Sequence, residues 1–463
     1  MPLNELYHFI EKIKKTPKLI FVDDYEIVVE KFSSLSTHKS IPAHHPTSSP
    51  MTQRHSEIWL QLRILYRKQP GIAQVILSGE RSISDLLEMA FESAALSCVN
   101  PWFKFPLWNK LSERAPFQQD THHYTYKPHP IEELIESKAD THIHNQKDNS
   151  FDKSALNHKR LTQYSHWESL ICRKSEKEIR PRIGNRCLTT IEMTCQTSTT
   201  PLFISDKKQT KDILTEHDYL DWVSQLACFQ GQPMDSLLET PPTPTPSYPM
   251  PVLLMPKVAV SCLRSLIPWF CADNQALGTQ LLHQEKHISS AISLIDDGTV
   301  DAPTGGHWVD LEGCATQKIN LIENGKILNF LYDTYTSAYH NRKSTASLTR
   351  LPGHLKPHIS PNCLSFSSTH TEQLEGMTKS IPLFFQWMAM ESIDIELSGD
   401  CFMKGRGYLV NDGVLSPYLY TVYLSTSLWT LFERVLCMGE DTLYVGAVGA
   451  PSILIDKVPV YIM

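Results

Sequence analysis

The sequence predicts an α+β protein, an N-terminal α/β domain followed by an antiparallel, β-rich C-terminal domain. Three observations carry that prediction. From residue 246 to 462 the chain is a long series of short β-like segments separated by turns. Two of those turns, Asn324-Gly325 and Asp412-Gly413, are dipeptides that close tight β-hairpins. Residues 55–108, by contrast, read strand, strand, helix, which suits a sheet covered on one side by helices.

In chain order, Leu6, Phe9, Ile10 and Ile13 have helical spacing and predict a helix over 4–15. Residues 19–29 read as one or two strands. Residues 33–52, rich in Ser, Thr, His and Pro, read as a flexible linker, so that 1–52 forms an extension. Strands are expected over 57–66 and 71–78, then a helix over 83–94 capped by Ser82. Residues 116–177 are polar and His-rich and are expected to be a loosely ordered insertion with a helix at 130–137. A strand over 187–194 and a helix over 216–228 complete a domain spanning 53–238. The proline-rich run 239–249 cannot lie inside a sheet and marks the boundary. The second domain, 247–463, opens with a buried strand at 250–256 and an apolar helix over 257–272. A strand at 291–298, hairpins at 319–332 and 408–416 and a strand pair over 451–462 follow.

With 463 residues there is room for two or three cores. A net charge of −7 and a pI near 6.3 give no basic footprint, so no nucleic-acid partner is expected. No apolar run reaches the roughly 18 residues of a membrane span, so no membrane partner is expected either. The start of the chain lacks a secretory pattern, and eleven cysteines without a Cys-x-x-Cys pair read as reduced thiols. Both point to the cytoplasm.

One segment has the look of a metal-binding helix, Leu281-Leu282-His283-Gln284-Glu285-Lys286-His287. Histidines four apart share a helix face and can grip a metal. The protease signature needs Glu directly after the first His, where this chain has Gln284, and Glu285 points elsewhere. A structural or solvated histidine pair is the expectation. His44-His45, His122-His123 and His142 with His144 lack a fixed scaffold. Asp296-Asp297 reads as a turn capped by its own side chains. Gly405-Arg406-Gly407 is too short to be a phosphate loop.

Several short motifs occur in order over about 215 residues. They are 248–256 with its Val-Leu-Leu-x-Pro core, Leu294-Ile295-Asp296-Asp297, Asp310-Leu311-Glu312-Gly313 and Leu321-Ile322-Glu323-Asn324-Gly325. Leu331-Tyr332-Asp333, Ser398-Gly399-Asp400, Gly439-Glu440-Asp441 and Pro451-Ser452-Ile453-Leu454-Ile455 follow. In this series the chain resembles the TldD/PmbA family, the modulators of DNA gyrase and zinc metalloproteases. The resemblance implies two kinds of subunit. TldD-type chains hold zinc through a helical His-Glu-x-x-x-His motif and a late cysteine, whereas PmbA-type (TldE-type) chains lack these ligands and pair with a TldD-type chain. Here the helix 257–272 contains neither His nor Glu, and residues 442–450 contain no Cys. The family's Thr-Gly-Asn turn is replaced by Thr345-Ala346-Ser347.

What the resemblance implies is a non-catalytic PmbA/TldE-like subunit with no cofactor. Its expected partners are a TldD-type protease subunit and unfolded peptide. The alternatives are a divergent metallopeptidase holding zinc through His283, His287 and Cys437, or a stand-alone peptide-binding scaffold. Cys437, in Val435-Leu436-Cys437-Met438, otherwise reads as a small buried hydrophobe.

Overall fold

The structure is a computed structural model. It describes residues 3–41, 51–77, 81–100, 103, 105, 156–176, 179–196, 201–210, 228–229, 232–233, 248–274, 288–300, 308–350, 357–367, 371–396, 398–416 and 418–462. The chain forms two compact units.

The first unit comprises residues 1–227 together with 307–316 and 334–358. Its frame is an antiparallel sheet in the order β3-β2-β1-β4-β5-β6. The strands are β1 (Asp24–Ile41), β2 (Met51–Tyr66), β3 (Gln69–Ile76), β4 (Leu156–Arg173), β5 (Ile179–Gln196) and β6 (Pro201–Thr210). Helices α1 (Leu3–Lys14) and α2 (Arg81–Leu96) pack on one face. Alternation along the strands defines that face. Tyr25, Ile27 and Val29 of β1, Leu60, Leu62 and Ile64 of β2, and Leu170 and Cys172 of β4 meet Leu6, Ile10 and Ile13 of α1 and Leu86, Ala90 and Ala94 of α2. Gly71 is required here, because a Cβ would lie 2.2 Å from the Ala90 carbonyl of α2.

Several expectations for this half change. Residues 33–41, expected as loop, continue β1, and Met51 and Thr52 begin β2; Ser33 pairs with Ser56 and His38 with Met51. Residues 17–21 form a 3₁₀ turn, so the strand starts only at Asp24. Residues 156–173 of the expected insertion are β4, which pairs along almost its whole length with β1 and β5. Ladder hydrogen bonds and pairing with β1 outweigh the polar composition of both segments, which lacks any local apolar signal. Helix α2 begins at Arg81, so Ser82 lies within it rather than capping it. The helices expected at 130–137 and 216–228 fall outside the described residues, the second except for its last residue.

The second unit comprises residues 228–306, 317–333 and 359–463. Its strands are β7 (Tyr248–Leu254), β8 (Ser293–Asp297), β9 (Lys318–Glu323), β10 (Lys326–Ile327), β11 (Leu364–Ser367) and β12 (Thr371–Glu372). Then come β13 (Leu383–Ile395), β14 (Asp400–Asn411), β15 (Val414–Leu415), β16 (Tyr420–Ser427) and β17 (Val435–Gly439). The last are β18 (Leu443–Val445), β19 (Val448–Ala450) and β20 (Ile453–Ile462). Strands β20, β16, β14, β13 and β7 pair in sequence, and β7 pairs back onto β20, which closes a ring. Closure removes free edges from these five strands. A second sheet has the order β10-β9-β8-β11-β19-β18. Helix α3 (Pro256–Phe270) follows β7 and packs against β13 and β19 through Val258, Leu263 and Leu266 among others.

Both hairpins form as expected. Asn324 and Gly325 have φ of 47° and 76°, and Asp412 and Gly413 have φ of 48° and 76°, the type I′ pattern that matches strand twist. The expected terminal strand pair is a single strand. β20 pairs with β7 along its length, with a register shift between Ile455 and Val458, and on its other edge with β17 in its first half and β16 in its second.

Candidate functional site

Of the residues offered for zinc, only Cys437 lies among the described residues. His283 and His287 lie outside them. Cys437 lies on β17 opposite Leu454 and packs on the apolar cluster Leu253, Met377, Phe384, Val410 and Leu454. That is the setting of a small hydrophobe. Helix α3 offers only Cys262, whose Sγ lies 3.8 Å from Met403 Sδ. Burial pushes its thiol up to about 12.

Among the described residues, Asp310, Glu312 and Cys314 alone bring three ligand atoms close together, all buried. Their donors are already committed. Asp310 Oδ1 accepts the backbone N–H groups of Glu312 and Cys314, both at 2.9 Å. Glu312 Oε2 accepts the Thr334 N–H at 2.9 Å and its hydroxyl at 2.6 Å. Burial pushes the Cys314 thiol strongly up, and burial followed by the nearby Glu312 charge pushes Asp310 up to about 8. With Asp310 Oδ1 and Glu312 Oε2 taken by N–H and hydroxyl donors, and the Arg63 and Arg173 guanidinium groups beside Glu312, the surroundings do not favour a divalent cation. The set is a buried structural turn.

That turn belongs to a charged platform on the sheet face opposite α1 and α2. Glu26 bridges two guanidinium groups, with Arg63 Nη2 and Arg173 Nη2 each 2.5 Å from a carboxylate oxygen. Burial pushes the Glu26 carboxyl up, but Arg63 and Arg173 outweigh it and hold it below the usual range. Arg173 also donates to the Glu312 carbonyl, and Arg180 donates to the Gly313 carbonyl at 2.6 Å. Arg350 reaches Glu30 at 3.0 Å and the Gln61 side chain at 2.7 Å. Sequence reasoning missed this platform. Its signal is the period-2 placement of Glu26 and Glu30, and of Arg180 and Arg182, on strands whose alternate residues are apolar or paired.

The second unit also holds a cleft of about 1060 Å³. Leu253, Phe384, Gln386 and Val410 line its wall, and Lys379 and Asp412 stand at its rim. The Gln386 amide donates to Met255 Sδ at 3.3 Å. These groups can orient a ligand through polar and apolar contacts.

Asp296-Asp297 divides in two. Asp297 does cap its own turn, accepting from the Thr299 N–H and hydroxyl at 3.0 and 2.6 Å. Asp296 instead is fully buried and accepts the Cys363 N–H at 2.7 Å, tying β8 to the start of β11. Gly405 and Gly407 of β14 have a packing role. A Cβ at either would lie 2.2 Å from a neighbouring β13 carbonyl, and close to the rings of Trp387 and Phe385 respectively.

Residues 247–461 match the PmbA/TldA metallopeptidase C-terminal domain. An uncharacterized protein of Methanocaldococcus jannaschii is 34% identical over 119 residues, covering 25% of this chain and 28% of that protein. The metalloprotease TldD homolog of Buchnera aphidicola subsp. Acyrthosiphon pisum is 25% identical over 167 residues, covering 34% and 33%. The match thus spans about a third or less of either relative. The fold of the whole chain is shared with TldE of Thermococcus kodakarensis, at a TM-score of 0.76 and 16% identity, covering 98% of this chain and 99% of that one. A candidate modulator of a DNA gyrase from Thermotoga maritima MSB8 gives the same values. Through their ordered motifs, residues 247–461 of this chain form a C-terminal domain of the PmbA/TldD family.

Proposed function

We propose that this chain is a non-catalytic, TldE-like subunit that pairs with a TldD-type zinc metalloprotease and helps it to take up unfolded peptides. One observation carries the reading. The C-terminal family scaffold is retained over 247–461, while α3, where the resemblance places the zinc-binding helix, contains neither His nor Glu. The likeness of the fold to a TldE protein supports the same assignment. The cleft beside β13 and β14, with a mixed polar and apolar lining, is where this chain would contact peptide.

The test is reconstitution. Mixed with the TldD-type protein of its own genome, the chain should co-elute as a stable complex and raise peptidase activity above that of the partner alone. Two separate peaks with unchanged activity would overturn the proposal. The rival, a metallopeptidase using His283, His287 and Cys437, predicts about one zinc per chain and a peptidase activity lost in His283→Ala. Elemental analysis of tag-free protein separates the two readings, since the subunit reading expects no zinc.

A further inference from the structure

The first unit ends, at the start of β1, in a surface that its core does not use. In the 3₁₀ turn Pro17–Phe21, Leu19 is buried, while Ile20 and Phe21 are each 74% exposed. Two adjacent, large apolar side chains at a tip cost solvation and contribute nothing to the fold. More apolar surface lies at the same end of the sheet. The Asp23 carboxylate accepts the Lys68 N–H at 3.0 Å, and the Lys68 carbonyl accepts the Asn100 N–H at 3.3 Å. This chain of contacts brings in Leu96, 89% exposed, and Val99, 60% exposed.

The charges around this tip have one dominant sign. Residues 11–21 carry four lysines, at 12, 14, 15 and 18, against the single acid Glu11, which bonds Lys14 at 3.0 Å. The β2–β3 turn adds exposed Arg67 and Lys68. Lys174 reaches the Val22 carbonyl at 2.6 Å. Among the acids here, Asp23 and Asp24 accept backbone N–H groups of Lys68 and Tyr25, while Glu176 in the β4–β5 turn and Glu92 on α2 leave the cations in excess. The chain as a whole has a net charge of −7, so this local excess of cations runs against its average.

We propose that this end of the first unit docks on the surface of an anionic lipid bilayer, with Ile20 and Phe21 entering the headgroup boundary and the surrounding cations meeting lipid phosphates. Apolar side chains ringed by lysine suit a bilayer interface. They suit a protein interface poorly, because interface cores are depleted in lysine. A surface contact needs no crossing segment, and no helix among the described residues is long and apolar enough to cross. The contact departs from the expectation, drawn from the lack of an apolar run, that no membrane is a partner. It does not depend on the subunit reading above.

The experiment is co-sedimentation of the full chain with phosphatidylcholine vesicles, with and without an equal part of phosphatidylglycerol. The chain should pellet with the anionic vesicles only, and raised salt should release it. Ile20→Ser/Phe21→Ser should weaken partition about tenfold. Lys15→Glu/Lys18→Glu should weaken it at least as much, at about fivefold per cation removed. All these positions are exposed, so circular dichroism should be unchanged. Failure to pellet with anionic vesicles, equal pelleting with both vesicles, or full retention in the Ile20→Ser/Phe21→Ser variant would overturn the proposal. So would a lipid-free dimer that this variant dissolves, which would assign the tip to a second copy of the chain.

Discussion

Glu26 and Asp296 are both buried carboxyls, and their neighbours give them opposite pH behaviour. Two guanidinium groups hold Glu26 below its usual range, so its stabilising contribution is present above the unfolded-state value and is lost as pH falls through the folded one. Glu26→Ala strands Arg63 and Arg173 in the interior and should cost about 3–5 kcal/mol in urea unfolding. Burial pushes Asp296 up to about 7 against the pull of the Cys363 N–H. Its folded form therefore binds a proton that the unfolded form has released, and the associated stability is lost as pH rises from about 4 to about 8. Asp296→Asn keeps the side-chain oxygen that accepts from Cys363. Its denaturant midpoint should fall less over that pH range than the parent's, and an unchanged slope would mean that Asp296 is not the titrating group. Ala346 is of another kind. It is buried with φ of 55°, so a residue with a Cβ holds the left-handed backbone that favours glycine.

At the scale of elements, glycines separate turn chemistry from packing. Gly413 has φ of 76° with no heavy atom within 4 Å of a built Cβ, so Gly413→Ala pays only backbone strain, about 1–2 kcal/mol. Gly407 sits against Phe385 and the Gln386 carbonyl, so Gly407→Ala must push β13 away from β14. Its cost should be about 1–3 kcal/mol, with a changed tryptophan emission from Trp387 that Gly413→Ala does not produce. The two hairpins were legible in the sequence because their turns are encoded by two adjacent residues. The long central strands β1 and β4 were not. Their polar halves are held by pairing with residues far away in the chain, and a local reading of Ser, Thr and His finds only loop.

At the scale of the molecule, the family domain begins at 247, within the proline-rich run, but the compact units do not follow chain order. Residues 307–316 and 334–358 follow that run but belong to the first unit, where Glu312 and Arg350 complete the charged platform. A fragment of residues 247–463 would leave those charges without Glu26, Glu30 and Arg173. We expect it to unfold at lower temperature and scatter more light than the full chain, and a fragment as stable as the parent would contradict this division.

The sequence by itself determined the fold class, the two hairpins, the ordered motifs of the C-terminal domain, and three helices, expected over 4–15, 83–94 and 257–272 and found over 3–14, 81–96 and 256–270. Each rests on periodicity or on adjacent residues, which act through local backbone geometry. Only the tertiary structure decided that the charged face of the first sheet is interior. Alternating Glu and Arg along a strand look the same whether water or a returning loop covers them. Only the turn at Asp310 and Glu312, some 280 residues beyond Glu26 and Glu30, turns a solvated pattern into a buried ionic core.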